Sequence, residues 1–418
     1  MEEDWISNLK KTVAPLAPLA DEFINHGYKL YLVGGIVRDS ILGSQFFDDF
    51  DLTTDAPSSV TKAIMATFCD ALWTQGEKFG TIGGLINSLS VEITTHRGES
   101  YSEDSRKPLV EFSDSIDQDL VRRDFTINAI AVELPGFRLV DPYSGVEHLR
   151  RGLLRTPLDA TVSFSDDPLR MFRAARFLSK LSLKPDESIF QASVELVHRV
   201  EVVSVERIRD ELEKLILLEN PRQGLSHLFD AGLMANFLNT NCDQEIVENS
   251  IQLASCKSSV LVKRCGLLWF FDTSEKDFLK LLKYSTFDQK QTKTLQRVTH
   301  EIINSEPTDF FIRQLAHDHG AELIAEAREL IKNLKKVDST INCSVFESNF
   351  DRLSVEEDLE NIEVPLSGAE VMQSLNIQQG PQVGQAMGYL LDHILHFGPI
   401  SSSDAFGLLK KLKAEGLS

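Results

Sequence analysis

Between Tyr31 and Ala56 the chain reads "YLVGGIVRDSILGSQFFDDFDLTTDA", an order that few folds accommodate. An apolar run suited to a strand, Tyr31-Leu32-Val33, breaks at Gly34-Gly35 and turns into a helix start through Arg38-Asp39. Asp49-Phe50-Asp51 follows within ten residues. Glycines after a strand let backbone N–H groups approach an anion closely. Carboxylates at i and i+2 of an extended segment face the same way. Asp49 and Asp51 can therefore share two divalent ions about 4 Å apart, the arrangement used for in-line displacement at phosphorus. Mg2+ suits them, because carboxylates are hard oxygen ligands and nucleotide phosphates complete its octahedron. Asp48 is adjacent but on a strand faces the opposite side. A D-x-D alone reads more readily as an acidic turn; the strand, glycine pair and helix start before it reverse this in favour of the metal reading. Gly34 and Gly35 would then cradle phosphates, with Arg38 either bracing the loop or contacting the nucleotide.

Two later stretches extend this chemistry, and three others frame it. In "DLVRRDFTINAIA" (Asp119–Ala131), Arg122, Arg123 and Asp124 precede an apolar strand. One of the arginines can reach a triphosphate and Asn128 a sugar hydroxyl; the plainer alternative is a charged strand entry. "VDPYSGVEHLRRGLLR" reads as a hinge from sheet to helices, punctuated by Asp141 and Gly145. In "SDDPLRMFRAARF", Asp166 or Asp167 caps a helix with Pro168 in its first turn. Arg170, Arg173 and Arg176 recur every three residues, a row too costly for a dry core. A carboxylate one turn before Arg170 allows acceptor and donor together to read a nucleotide base edge; a surface ion-pair network is the alternative. "SVERIRDELEKLI", with Ser204 as cap and Glu206 and Arg207 in the first turn, reads as a scaffold bracing the arginine helix. "AHDH" (Ala316–His319) has no second cluster to make it a metal site and reads as a solvated helix turn.

The rest of the 418 residues bounds the answer. Short β-rich runs (Leu30–Val33, Phe50–Thr53, Gly84–Ile86, Val91–Thr95, Val110–Phe112 and Ala129–Val132) lie among helical pieces before residue 141. The polar stretch Arg97–Asp119 reads as a mobile connection. After Leu149 apolar spacing is helical almost to the end, broken by a polar stretch at Asn342–Glu363 and by "VPLSG". The expected fold class is α+β, a small mixed β-sheet head followed by an all-helical remainder. No apolar run approaches a membrane span, and the start lacks a secretory signal's order. Five scattered cysteines support neither disulfides nor zinc, which points to a reducing cytoplasm. A net charge of −20 is awkward for a nucleic-acid binder, but Leu279–Arg297, Leu330–Lys336 and Leu408–Lys413 are locally basic. Each also fits the solvated face of an amphipathic helix.

Taken in order, GGxVRD…DxD, RRDFTIN, DPxxG, DPLRxxRxxRF and SxERIxxEL resemble the class II tRNA nucleotidyltransferase/poly(A) polymerase family, among the DNA polymerase β-like nucleotidyltransferases. The likeness covers about Tyr31–Leu218, and the absence of a phosphohydrolase insertion makes the chain similar to the shorter CCA-adding members. The resemblance implies a head (1–140), neck (141–218), body (219–340) and tail (341–418), the last two gripping the tRNA acceptor arm. It implies Asp49 and Asp51 as metal ligands, with Glu92 a lesser candidate for a third. Gly35 and Arg38 would bind the nucleotide and Arg123 its phosphates. Asp167 and Arg170 would pair with CTP or ATP, supported by Arg173 and Arg176. The implied activity is template-independent addition of the CCA terminus to tRNA, with pyrophosphate release. An A-adding-only enzyme or a poly(A) polymerase of the same family is the enzymatic alternative, and a catalytically inactive RNA-binding relative the non-enzymatic one. Asp166 stands where the family usually has Glu, and the 98–112 loop keeps the length expected of enzymes that complete the terminal A.

Overall fold

The alternation in "DFDLTT" is realised as a strand whose Phe50 and Leu52 are buried while Asp49 and Asp51 stay open to solvent. The computed structural model describes residues 2–45, 47, 49–100, 109–238, 243–271 and 277–414. Asp48, Cys242 and residues 101–108 of the loop lie outside the described residues. In chain order the strands before residue 141 are β1 (Leu30–Val33), β2 (Asp49–Thr54), β3 (Ala71–Trp73), β4 (Thr81–Ile86), β5 (Leu89–Thr95), β6 (Arg97–Ser100), β7 (Leu109–Phe112), β8 (Ala131–Leu134) and β9 (Arg138–Val140). Seven of them form a mixed sheet in the order β3-β4-β5-β2-β1-β8-β9. β2 is central, antiparallel to β1 (Tyr31 opposite Thr53) and parallel to β5 (Asp51 opposite Glu92). All four residues of β1 are buried, as a strand covered on both faces requires. One face packs on the N-terminal helices through Leu9, Leu16, Phe23, Leu32, Phe50 and Ile93.

Two expectations are corrected here. The stretch Arg97–Asp119 is not simply a connection: β6 and β7 pair from Arg97 opposite Phe112 to Ser100 opposite Leu109, and a helix covers Ile116–Val121. The sequence marked its second strand at Val110–Phe112 but not the partner Arg97–Ser100, which is polar and held by backbone ladder bonds. The supposed hinge is a pinned turn. Asp141 accepts bonds from the Gly145 and Val146 N–H groups at 2.7 and 3.0 Å, and a Cβ on Gly145 would lie 2.1 Å from the Thr126 carbonyl oxygen. The edge strands β3 and β9, three residues each, were not anticipated.

After Leu149 the chain is helical, apart from a two-residue parallel pairing of Leu153–Leu154 with Lys184–Pro185. The arginine helix, Leu169–Lys180, buries Leu169, Met171, Phe172, Ala174, Ala175, Phe177 and Leu178. The bracing helix, Val205–Ile216, buries Ile208, Leu212, Leu215 and Ile216.

The chain divides into two compact units, Met1–Asn236 and Phe237–Ser418. The second unit contains two apolar cores, one running from Leu253 to Leu359 and one from Leu366 to Leu409. The polar stretch near 342–363 proves to hold a helix, Ser344–Glu356, because Phe346, Phe350 and Leu353 fall at i, i+4 and i+7. The break at "VPLSG" ends in a capping box, Ser367 with Glu370, opening the helix Gly368–Leu375. "AHDH" lies in the long helix Asp309–Leu334, just before the left-handed Gly320 (φ 75°) interrupts it. No helix among the described residues is long and apolar enough to cross a membrane.

Candidate active site

Gly34 ends β1 with φ 72°, a backbone that favours glycine, and its carbonyl accepts the Arg38 N–H. A Cβ there would lie 3.2 Å from Arg123 Nη1 and 3.8 Å from Asp51 Oδ2. The turn thus brings together an open stretch of backbone, a guanidinium and a carboxylate. Asp49 and Asp51 share one face of β2 and Glu92 occupies the matching position on β5. Crowding by protein raises the Asp51 carboxyl above the ordinary aspartate range; Arg123 opposes the shift and Asp49 adds to it. Glu92 is raised as well, by burial and then by Asp51 and Asp49. No group of three or more acidic, His or Cys side chains close enough to hold a metal occurs among the described residues. What this face offers a cation is the Asp49–Asp51 pair, with Glu92 opposite Asp51 on β5. Two hard carboxylates, one of them destabilised in its charged form, fit a divalent ion whose remaining ligands come from phosphate and water.

Of the two roles open to Arg38, the geometry favours bracing. It is 5% exposed, donates from Nε and Nη2 to Asp39 at 2.7 and 2.8 Å and from Nη1 to Asn128 Oδ1 at 2.6 Å, and lies 5.2 Å over the Phe177 ring. Asn128 in turn donates to Asp124 Oδ1 at 2.9 Å. The other Asp124 oxygen accepts a fork from Arg173 at 2.9 and 2.6 Å. Burial works against the Asp124 charge, but Arg173 and Asn128 overcome it and hold the carboxyl below its usual range. Arg176 donates to the buried Glu211 at 2.6 Å, and Arg173 approaches the same carboxylate at 3.5 Å. The row of three arginines therefore splits. Arg173 and Arg176 are bound by carboxylates of β8's approach and the bracing helix, an ion-pair network whose carboxylates are buried rather than at the surface.

Asp167 and Arg170 stand at the start of the arginine helix. Asp167 Oδ1 accepts the Leu169 N–H at 3.2 Å, confirming its capping role, and Oδ2 accepts Arg207 at 3.0 Å. Arg170 donates to Ser163 Oγ at 2.7 Å and to the Arg122 carbonyl oxygen. Arg122 and Arg123 both fork onto Asp119. Asp39, Asp119 and the Arg207–Asp167 pair were missed by sequence reasoning. Asp119 had a signal, since it precedes the two arginines by three and four residues, the spacing of one helical turn.

Mixed sheet, glycine turn and paired carboxylates define a nucleotidyltransferase-type head on a helical support. A family profile described as "Poly A polymerase head domain" matches residues 30–155, and one described as "Probable RNA and SrmB- binding site of polymerase A" matches 182–240. A CCA-adding enzyme of Geobacillus sp. (strain WCH70) is 32% identical over 381 residues, 89% of this chain and 90% of that protein. One of Ligilactobacillus salivarius is 28% identical over 402 residues, covering 94% and 95%. The chain belongs to the family of CCA-adding enzymes. The same fold occurs in the Bacillus stearothermophilus CCA-adding enzyme in complex with CTP, with TM-score 0.74 and 24% identity over 96% of this chain and 98% of that one. It occurs too in the Thermotoga maritima CCA-adding enzyme complexed with tRNA-CCA, with TM-score 0.68 and 20% identity over 96% and 95%.

Proposed function

We propose that this chain performs its family's reaction, adding C, C and A in turn to the 3′ end of tRNA from CTP and ATP, with no nucleic-acid template. The observation that carries this reading is the Asp49–Asp51 pair beside the Gly34 turn and Arg123, in a chain whose relatives match it over most of both lengths. Asp49 and Asp51 would hold Mg2+, two ions by the spacing argument. When bound, these lower the charge barrier at the attacking and leaving oxygens. The 3′-hydroxyl of the tRNA attacks the α-phosphorus: its oxygen forms a P–O bond to the new nucleotide, its proton passes to solvent water, and the P–O bond to pyrophosphate breaks, releasing pyrophosphate. Gly34 and Gly35 leave room for the phosphates to approach the backbone, and Arg123 Nη1, on the same side, neutralises them. Asp167 and Arg170 supply an acceptor and a donor to the base. To do so they exchange their present partners Arg207 and Ser163 for the nucleotide edge. Arg38, Asn128, Arg173 and Arg176 hold this geometry rather than touch the substrate.

The division into head, neck, body and tail is retained as part of this proposal; separate apolar cores lie on either side of residue 365, beyond the body–tail boundary proposed at 340. The tRNA acceptor arm is the RNA element that must reach β2. A cytoplasmic setting agrees with the free thiols of Cys69, Cys256, Cys265 and Cys343.

The test is single-nucleotide incorporation on tRNA lacking CCA, tRNA ending in CC, and mature tRNA. CTP should extend the first by two, ATP the second by one, and the mature tRNA should stay unextended. Repeated ATP addition to any RNA would instead mark a poly(A) polymerase, and ATP addition confined to CC ends an A-adding enzyme. Asp49→Ala and Asp51→Ala should each lower incorporation at least about a hundred-fold while tRNA binding persists. Normal incorporation by the double variant would overturn the metal assignment.

A further inference from the structure

Arg123 lies next to a carboxylate, Asp51, that it would ordinarily capture. A guanidinium beside a partly desolvated aspartate closes into a fork, which would occupy both the phosphate-binding donor and a metal-binding acceptor at once. It does not close here, and the reason is beneath it. Asp119 is 0% exposed, and both of its oxygens are taken. Oδ1 accepts Arg122 Nε and Nη2 at 3.2 and 2.7 Å, and Oδ2 accepts Arg123 Nε and Nη2 at 3.3 and 3.0 Å. The remaining terminal nitrogen of Arg123, Nη1, is the one that points to the Gly34 turn.

We propose that Asp119 is a positioning residue for nucleotide binding, a buried anchor that holds Arg123 away from Asp51 and aims its Nη1 at the phosphates. The inference rests on the phosphate role given to Arg123 above. Its local frame is rigid. Asp119 sits on the helix Ile116–Val121, the Arg123 N–H bonds to the Leu120 carbonyl, and the Arg122 carbonyl accepts Arg170. Burial disfavours the Asp119 charge, yet Arg123 and Arg122 together hold its carboxyl down at about 2, so the anchor stays ionised throughout the neutral range. An aspartate whose only task was stability would have no need to share itself between two arginines, one of them aimed at the Gly34 turn. A buried pair replaced by apolar residues is commonly as stable or more so.

Asp119→Asn removes the charge and keeps the shape. The expected result is a rise in KM for CTP and ATP by the same factor, roughly ten-fold to a hundred-fold. The affinity for CMP, which lacks the β- and γ-phosphates, and for tRNA should stay unchanged. In an Arg123→Ala background the same substitution should add nothing further to KM, since the two act as one unit. If Asp119→Asn does not fold, Asp119→Asn with Arg122→Gln removes a cation along with the anion and carries the same measurement. An unchanged KM for CTP, an equal weakening of CTP and CMP, or a full effect in the Arg123→Ala background would each overturn the inference. If Arg123→Ala leaves the KM for CTP unchanged, the phosphate role itself fails and the inference with it. If Arg123→Ala raises KM and Asp119→Asn does not, only the inference fails.

Discussion

Arg38 makes every directed contact of its guanidinium to protein, and this separates two consequences that are usually confounded. Arg38→Gln should destabilise the first unit by about 2 kcal/mol, because Asn128 and Asp39 lose a charged donor in a buried setting. In the fraction that remains folded, KM for CTP should change little. A large KM rise with an unshifted melting temperature would mean that Arg38 meets the nucleotide after all. His227 offers a second reading at this scale. Its ring is buried against Phe190, 5.8 Å between centroids, with Ser193 Oγ 3.3 Å from Nε2. Burial pushes it down to about 4. Between the ordinary histidine value near 6.5 and 4, the unfolded chain binds a proton that the folded one refuses. Stability therefore falls as pH drops through that window, by roughly 2 kcal/mol at pH 5. Urea unfolding at pH 7 and pH 5 checks this, and His227→Gln should flatten the difference. The same loss in both proteins would assign it to other groups.

Strand β2 and the arginine helix show which elements a sequence discloses and which it conceals. The Asp49–Phe50–Asp51 alternation, the glycine turn and the helix cap at Asp167 are local, and all were readable from spacing alone. What the arginines bind was not, because Arg173 meets Asp124 across 49 positions and Arg176 meets Glu211 across 35. A row of guanidinium groups seen without its counter-ions looks like an anion site, and the fold supplies the counter-ions. The same holds for β6, which pairs with the apolar run at Val110–Phe112 through backbone bonds that leave no mark on its own composition. Glu211 is the test of this element. Glu211→Gln leaves two half-committed cations between the helices and should destabilise by about 3 kcal/mol, read by thermal unfolding. A negligible shift would mean that the bracing helix holds its neighbour by apolar packing through Ile208 and Leu212 alone.

On the scale of the whole molecule, a net charge of −20 has to be reconciled with a polyanionic partner. Contact with tRNA must run through local cations, and their attraction is screened by salt. The tRNA dissociation constant should therefore rise at least about ten-fold between 50 and 200 mM salt. A flat response would place recognition on base stacking rather than on phosphates. The Arg38–Asn128–Asp124–Arg173–Glu211 chain of bonds limits modularity in this protein. It begins on the helix Gly35–Ile41 after β1 and ends on the helix Val205–Ile216, stitching the sheet to the arginine and bracing helices downstream of it. A sheet excised at residue 140 would carry a buried, unneutralised Asp124, and a sheet grafted onto a foreign support would inherit the same orphan. A division that leaves this run of bonds whole falls after Asn236, where the first unit ends.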